Sequence, residues 1–261
     1  MVKLIVSDID GTLIPYGQSA FSPRLFPLIQ RLLDRGVLFC PASGRQFHSV
    51  RLLFEPLASR LPILSENGAA VFGPGEREED CPLLGAVSMD RTAAVEVARE
   101  LMGDPRCHVC VSGVNRFYVT DPEDAESIRQ STGSFVTLVS EPDQVPGEIL
   151  KVAAYCPGCD TEIYEKLRER WEGRCAIALS GVSWLDCTEA DKGRGLEILC
   201  AAYGVELKDT VAFGDNNNDL PMLKKAGRAY VVESAAPEIK AQVPNTCADV
   251  CDILEEILHT L

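Results

Sequence analysis

The sequence predicts an α/β protein whose core is a doubly wound, Rossmann-like parallel sheet, interrupted by an inserted α+β module. Three observations predict it. Short apolar runs alternate with amphipathic segments at both ends of the chain, a βαβ grammar that implies parallel strands. Carboxylate clusters follow the last apolar residue of two of those runs, where open α/β sheets bind ligands. Between the two ends, Pro82 to Trp184 is far too long for a single βα connection and reads as a separate domain.

The elements follow in order. Lys3 to Ser7 is an apolar run ending in a polar cluster, as in a buried parallel strand. Ser22-Pro23 opens a helix, with Ser22 as cap, Pro23 at the first helical position, a stripe of Leu25, Ile29, Leu32 and Leu33, and Gly36 as its stop. Val37 to Cys40 is a strand, Gln46 to Leu57 a helix and Pro62 to Leu64 a third strand. The same alternation returns late in the chain. Asp191 to Tyr203 is a helix stopped by Gly204, Thr210 to Phe213 a strand, Leu220 to Ala226 a helix and Ala229 to Val232 a strand, so one sheet can use both ends. Within the insertion, strands are expected near Cys107 to Val111, Arg116 to Thr120, Phe135 to Val139 and Leu150 to Tyr155, and helices near Arg91 to Met102 and Asp160 to Trp171. The expected division is a core of residues 1–81 and 185–261 with an inserted domain of residues 82–184.

Composition limits the function. With 261 residues, 46% of them hydrophobic, the chain can bury a sizeable core. Its 39 acidic against 25 basic residues give a net charge of -14, which opposes nucleic acid and anionic lipid as partners. An acidic protein that handles an anionic small molecule needs a bound cation or a few placed Lys and Arg side chains. The N-terminus enters a strand directly, without the pattern of a signal peptide, and no run approaches the ~20 apolar residues that span a bilayer. Eleven scattered cysteines fit free thiols in a reducing cytoplasm better than a disulfide framework, so a cytoplasmic location is expected. Composition says nothing about oligomeric state.

The strongest local signal is Asp8-Ile9-Asp10-Gly11-Thr12-Leu13 at the end of the first strand. Residues two apart can share a side, and two clustered carboxylates repel unless a cation or shared proton compensates; Mg²⁺, with its preference for oxygen ligands, answers that need. Taken alone, the segment also reads as an ordinary Asp-Gly turn. A calcium loop fails on spacing, since Leu13 stands where Gly is required and Ser19 where Glu is. Gly214-Asp215-Asn216-Asn217-Asn218-Asp219 follows a second strand and can supply further oxygen to the same cation; by itself it also reads as a capping loop, and Leu220 denies it an EF-hand. Ala42-Ser43-Gly44-Arg45, between a strand and a helix, offers a hydroxyl and backbone N–H groups to a phosphate. Lys192, in Asp191-Lys192-Gly193, would offset negative charge near a phosphorylated carboxylate.

The order Asp-x-Asp-Gly-Thr-Leu, Ser-Gly-Arg, Glu66-Asn67-Gly68-Ala69, Lys192-Gly193 and Gly-Asp-x-x-Asn-Asp resembles the haloacid dehalogenase (HAD) superfamily, specifically its Cof-type phosphatases with a class IIB cap, over almost the whole chain. The resemblance implies an Mg²⁺-dependent phosphatase acting on a small phosphorylated metabolite, such as a sugar phosphate, through an aspartyl-phosphate. It implies Asp8 as nucleophile and Asp10 as the acid that protonates the leaving alkoxide and then activates water. Metal ligation falls to Asp8, Asp10 and Asp215 with Asp219 in or beside the set, and phosphate or substrate contact to Ser43, Gly44, Arg45, Asn67, Lys192 and Asn218. Asp10 separates this chain from the family's dehalogenases, which lack the second Asp. The stretch between Asp10 and Gly44 is too short for a cap, so the insertion after Asn67 is the cap, where specificity resides.

Some residues depart from the pattern or stand outside it. Val232-Glu233-Ser234-Ala235 replaces the family's Met-Gly-Asn-Ala and puts an extra carboxylate near the rim. The pairs Cys107/Cys110 and Cys156/Cys159 invite a zinc or redox reading, but positions 107 and 110 face opposite sides of a strand and the pairs lie far apart in sequence, so structural thiols are expected. His48 is a helix-surface residue or a substrate contact, and three His without partners give a His-based triad no support. Three other functions compete: a phosphomutase of the same superfamily, a hydrolase of phosphonates or other carbon bonds, and a catalytically silent small-molecule-binding protein.

Overall fold

The computed structural model describes residues 1–133, 135–180 and 182–261, with backbone alone at 131 and 132. The described chain divides into two compact units, Met1–Ala86 with Asp191–Leu261, and Val87–Ala190. In chain order the first unit opens with β1 (Leu4–Asp8), α1 (Leu25–Asp34), β2 (Leu38–Ala42), α2 (Phe47–Leu53), β3 (Ile63–Ser65), β4 (Ala70–Phe72) and β5 (Leu83–Ala86). The second unit contains α3 (Arg91–Met102), β6 (His108–Gly113), β7 (Arg116–Val119), α4 (Pro122–Thr132), β8 (Val136–Leu138), β9 (Lys151–Tyr155), α5 (Asp160–Trp171), β10 (Ala176–Ser180) and β11 (Trp184–Thr188). The chain then returns to the first unit with α6 (Lys192–Tyr203), β12 (Thr210–Gly214), α7 (Leu220–Lys225), β13 (Arg228–Val232), α8 (Pro237–Lys240), β14 (Asn245–Cys247) and α9 (Val250–Thr260).

One sheet does use both ends of the chain. Its order is β14-β13-β12-β1-β2-β3-β4-β5, parallel from β14 to β3 and antiparallel across β3, β4 and β5. The central strand β1 reads Leu-Ile-Val-Ser-Asp and is buried at every position, because helices cover both faces of a doubly wound sheet. Its neighbours are β12 and β2, with Ser7 beside Phe213 and Asp8 beside Ala42. Asp8, Ser43 and Asp215 therefore leave three adjacent strands at the same edge. The switch point between the two halves of the sheet lies at this edge.

The second unit is an α+β module on a six-stranded sheet of order β10-β11-β9-β6-β7-β8. One face packs Val109, Val111, Val152 and Ala154 against Ala94 and Ala98 of α3 and Ile163 and Leu167 of α5. On the other face Cys110 and Ala153 form a smaller cluster with Ala125 of α4.

The structure moves several expected boundaries. The units divide at 86/87 and 190/191 rather than 81/82 and 184/185, because β5 pairs with β4 in the first sheet and β11 with β9 in the second. Helix α1 begins at Leu25, not at Ser22: the Ser22 hydroxyl lies 3.4 Å from Arg24 N, while the Ser22 carbonyl accepts from Leu25 N at 3.0 Å. Helix α2 stops at Leu53, and a 3₁₀ segment, Glu55–Arg60, replaces its expected end because Pro56 lacks an N–H. Among the described residues no helix is long and apolar enough to cross a membrane.

Candidate active site

The site grows from the last residue of β1. Asp8 is 6% exposed, and its Oδ1 accepts from Lys192 Nζ at 2.5 Å. Its Oδ2 is buried without a hydrogen-bond partner. Lys192 is fully buried at the start of α6, where Asp191 caps the helix by accepting from Arg194 N at 2.8 Å. The next residue must be small: a Cβ on Gly193 would stand 2.6 Å from Pro221 O, so glycine lets α6 approach the start of α7 and carries Lys192 to Asp8.

The second carboxylate cluster locks this lysine from the other side. Asp219 is fully buried, accepts from Lys192 Nζ at 2.6 Å with Oδ1, and accepts from Asp215 N and Asn216 N at 2.9 and 3.0 Å with Oδ2. Both oxygens of Asp219 are therefore committed, one to Lys192 and the other to the loop. Asp215 accepts from the Thr12 hydroxyl at 2.9 Å and from the Tyr16 hydroxyl at 2.7 Å. The chain can turn beneath Asp215 because residue 11 is glycine at φ 97°, where a Cβ would lie 2.5 Å from Asp215 Oδ2.

Burial of three carboxylates around one lysine sets the electrostatics. Desolvation pushes the Asp8 carboxyl up to about 8, and the charges of Asp219 and Asp215 add to the rise against the attraction of Lys192. Burial also raises Asp215, opposed by its hydrogen bonds from Tyr16 and Thr12. Burial alone would lower Lys192, but Asp219 and Asp8 overcome it and hold the ammonium above its ordinary value. Among the described residues, Asp8, Asp215 and Asp219 form the one group of three or more metal-ligating side chains whose donor atoms all lie within 4.8 Å of one another. An orphaned carboxylate oxygen in an all-oxygen, net-negative cluster fits a hard divalent cation.

Asp10 takes a different place. Its side chain is half exposed and turned to Arg45, which donates to it from Nε at 2.9 Å and from a terminal nitrogen at 2.7 Å. The carboxylate of Asp10 is thus outside the 4.8 Å group, although sequence spacing places it with Asp8. The reason is the Gly11 turn, closed by Gly11 N to Ile14 O at 2.8 Å, which ends the strand geometry that two-residue spacing assumes.

The remaining residues assemble around the loop after β2. Ser43 is 2% exposed; its carbonyl accepts from Asn67 N at 2.9 Å and its hydroxyl from Arg45 N at 3.2 Å. Gly44 packs on the Asn67 side chain, which in turn accepts from Asn218 Nδ2 at 3.1 Å. Glu66 and Asn67 both hold positive φ, 50° and 55°, a strained pair of non-glycine residues of the kind that accumulates at functional sites. His48 pairs with Glu78 at 2.6 Å on α2. Glu233 and Ser234 are exposed in the loop after β13. Sequence reasoning missed Thr12 and Tyr16 as partners of Asp215. Thr12 lies inside the first motif, but Tyr16 carries no local signal, because its hydroxyl reaches Asp215 only through the turn.

Comparison with known proteins gives the family and the fold. A family model described as haloacid dehalogenase-like hydrolase matches residues 5–255. The 5-amino-6-(5-phospho-D-ribitylamino)uracil phosphatase YbjI of Escherichia coli is 23% identical over 98% of this chain and 96% of its own length. A crystal structure from Eubacterium rectale superposes with a TM-score of 0.85 at 28% identity, covering 98% of this chain and 99% of that one. The HAD subclass IIB sugar phosphatase BT4131 shares the fold at a TM-score of 0.75 and 18% identity, over 99% of each chain. The chain belongs to the haloacid dehalogenase-like hydrolase family, with the fold of a subclass IIB member.

Proposed function

We propose that this chain is a cytoplasmic, Mg²⁺-dependent phosphatase that hydrolyses a small phosphorylated metabolite through an aspartyl-phosphate on Asp8. The observation that carries the reading is Asp8 itself: one oxygen is held by a fully buried lysine and the other is left without a partner among Asp215 and Asp219. A carboxylate so held can attack phosphorus and divide hydrolysis into transfer and dephosphorylation. Lys192 balances charge at the attacked group, and Ser43, Gly44, Asn67 and Asn218, which the loops after β2, β3 and β12 bring together, receive the phosphate oxygens. Asp8 and Asp215 would hold Mg²⁺ with the Asp10 carbonyl, and Asp219 orients Lys192 and the Asp215 loop; the cation would supply charge compensation at the transferring phosphate. Asp10, exposed and mobile once Arg45 engages an anion, serves as acid to the leaving alkoxide and then as base to water.

The inserted unit serves as the cap, and its residues set substrate choice. A phosphorylated polyol such as the one in the name of the Escherichia coli relative exemplifies the substrate class. The test is phosphate release from p-nitrophenyl phosphate and from a panel of phosphorylated metabolites with Mg²⁺. Asp8→Asn should abolish release while the far-ultraviolet circular dichroism is kept. Full activity in that variant removes the mechanism, and a requirement for a bisphosphate activator would make the chain a phosphomutase.

A further inference from the structure

The inserted unit carries six thiols that hydrolysis does not use, four of them in Cys107-His108-Val109-Cys110 and Cys156-Pro157-Gly158-Cys159. Distance along the chain argues against pairing the two sequences, but the ladder between β6 and β9 removes that distance. It is antiparallel with His108 opposite Tyr155, so one step outward Cys107 stands opposite Cys156. Neither residue uses its backbone N–H on the other: Cys107 N donates to Asp104 O at 3.0 Å and Cys156 N to Ser183 O at 2.7 Å. Facing residues that exchange no backbone bonds have Cα atoms about 4.5 Å apart, within the range a disulfide spans. The two Sγ atoms are 3.1 Å apart, about 1 Å beyond the length of an S–S bond. Cys110, three residues on, belongs to the cluster on the opposite face of the sheet.

We propose that Cys107 and Cys156 form an oxidation site that a hydroperoxide closes to a reversible intramolecular disulfide. Access and reactivity divide between the two thiols. Cys107 is partly exposed, and its hydrogen bond with the Cys156 thiol holds it below the usual thiol range; Cys156 is fully buried and held well above that range by the same bond and by burial. The Cys107 thiolate attacks the peroxide, an S–O bond forms as the O–O bond breaks, and the departing hydroxide (or alkoxide) takes a proton. Cys156 sulfur then attacks Cys107 sulfur. The S–S bond forms as the S–O bond breaks, and the leaving hydroxide takes the Cys156 proton as water. Two thiols are oxidised by two electrons and one peroxide is reduced.

The test uses the full chain, reduced, desalted, treated with hydrogen peroxide, blocked with iodoacetamide and digested with trypsin without reductant. The expected product is a cross-link between peptides 107–116 and 152–166, with two fewer alkylated cysteines per chain, fragments assigning the bond to positions 107 and 156, and full reversal by dithiothreitol. Cys107→Ser should lose the cross-link and Cys110→Ser should keep it. The proposal is overturned if both thiols stay alkylatable, if Cys107 runs on to sulfinic acid without a cross-link, if the bond assigns to Cys110 or to Cys156–Cys159, or if it forms only between two chains. Wild-type protein alone decides between these outcomes, so misfolding of a variant does not protect the proposal.

Discussion

Lys192→Met is the most informative single change, because it removes one charge and keeps most of the volume. Lys192 is fully buried and touches Asp8 at 2.5 Å and Asp219 at 2.6 Å. Taking one partner from a buried ionic group costs about 3–5 kcal/mol. Two effects reduce that cost here. Asp8, already raised to about 8, takes a proton near neutral pH and so leaves buried Asp219 as the one carboxylate that loses its counter-charge. Lys192 is also a cation at the start of α6, an unfavourable end for positive charge by roughly 0.3–1 kcal/mol, which methionine relieves. A net loss near 3 kcal/mol remains, or about 6–12 °C in midpoint for a unit of this size. Far-ultraviolet circular dichroism on metal-free protein at pH 7 reads it. Both tryptophans, Trp171 and Trp184, lie in the inserted unit, so their emission follows the other unit in the same sample. In a cycle with Asp8→Asn the two changes should couple by at least ~1 kcal/mol, because each removes the same contact. A midpoint within about 2 °C of wild type would refute the assignment of this lysine as the counter-charge of the site.

Three further outcomes follow from the same geometry. Asp8's folded pKa is raised, so its contribution to metal-free stability is complete below the ordinary carboxylate range and is lost as pH climbs towards about 8; Mg²⁺ bound as proposed would have to displace that proton. Calorimetry should therefore show Mg²⁺ affinity rising between pH 6 and 8, by up to ~10-fold per unit, with a proton released into the buffer; a flat affinity contradicts it. Arg45→Met should move the melting midpoint by less than about 2 °C, since an ion pair of two half-exposed partners contributes ~0–1 kcal/mol, while raising KM for the phosphorylated substrate. Gly11→Ala forces a side chain into φ 97° and against Asp215, and should weaken Mg²⁺ binding by ~10-fold or more in a titration; unchanged binding would mean that Asp215 is not a ligand.

What could be read from the sequence was whatever local rules govern. Asp8 ends an apolar run, Asp191 caps a helix that Gly204 stops, and the βαβ alternation at both ends implies one parallel sheet. Elements without a local signature escaped. Strands β4 and β5 are three and four residues long and join the sheet only through tertiary pairing. Strand β10 has no fully buried position, so no period-two pattern marks it. Helix α4 offers only Ala125 and Ile128 to the core and shows itself mainly at its start, where Asp121 caps Glu123 N behind Pro122. Helix α9 was legible in principle, with Val250, Leu254, Ile257 and Leu258 at helical spacing. Tyr16 and the pairing of Cys107 with Cys156 depend on contacts across a turn and across a sheet, which spacing along the chain does not encode.

The separation of Asp8 from Asp10 is the clearest case of structure refining a sequence rule. Two carboxylates at i and i+2 in a continuing strand would share one pocket and repel each other. Here the strand ends at Asp8, and the turn at Gly11 sends Asp10 to the surface, where the Arg45 fork holds it. One carboxylate is buried against a lysine and other acids; the other is half exposed and tethered to a side chain that can itself bind an anion. Pairs of carboxylates placed in environments this different divide their tasks. In the proposed mechanism the buried one, fixed in position with an oxygen that makes no hydrogen bond, is the group that attacks phosphorus, and the half-exposed one, open to proton exchange with solvent, is the acid that later becomes a base. The division fails if Asp10→Asn leaves phosphate release at the wild-type rate.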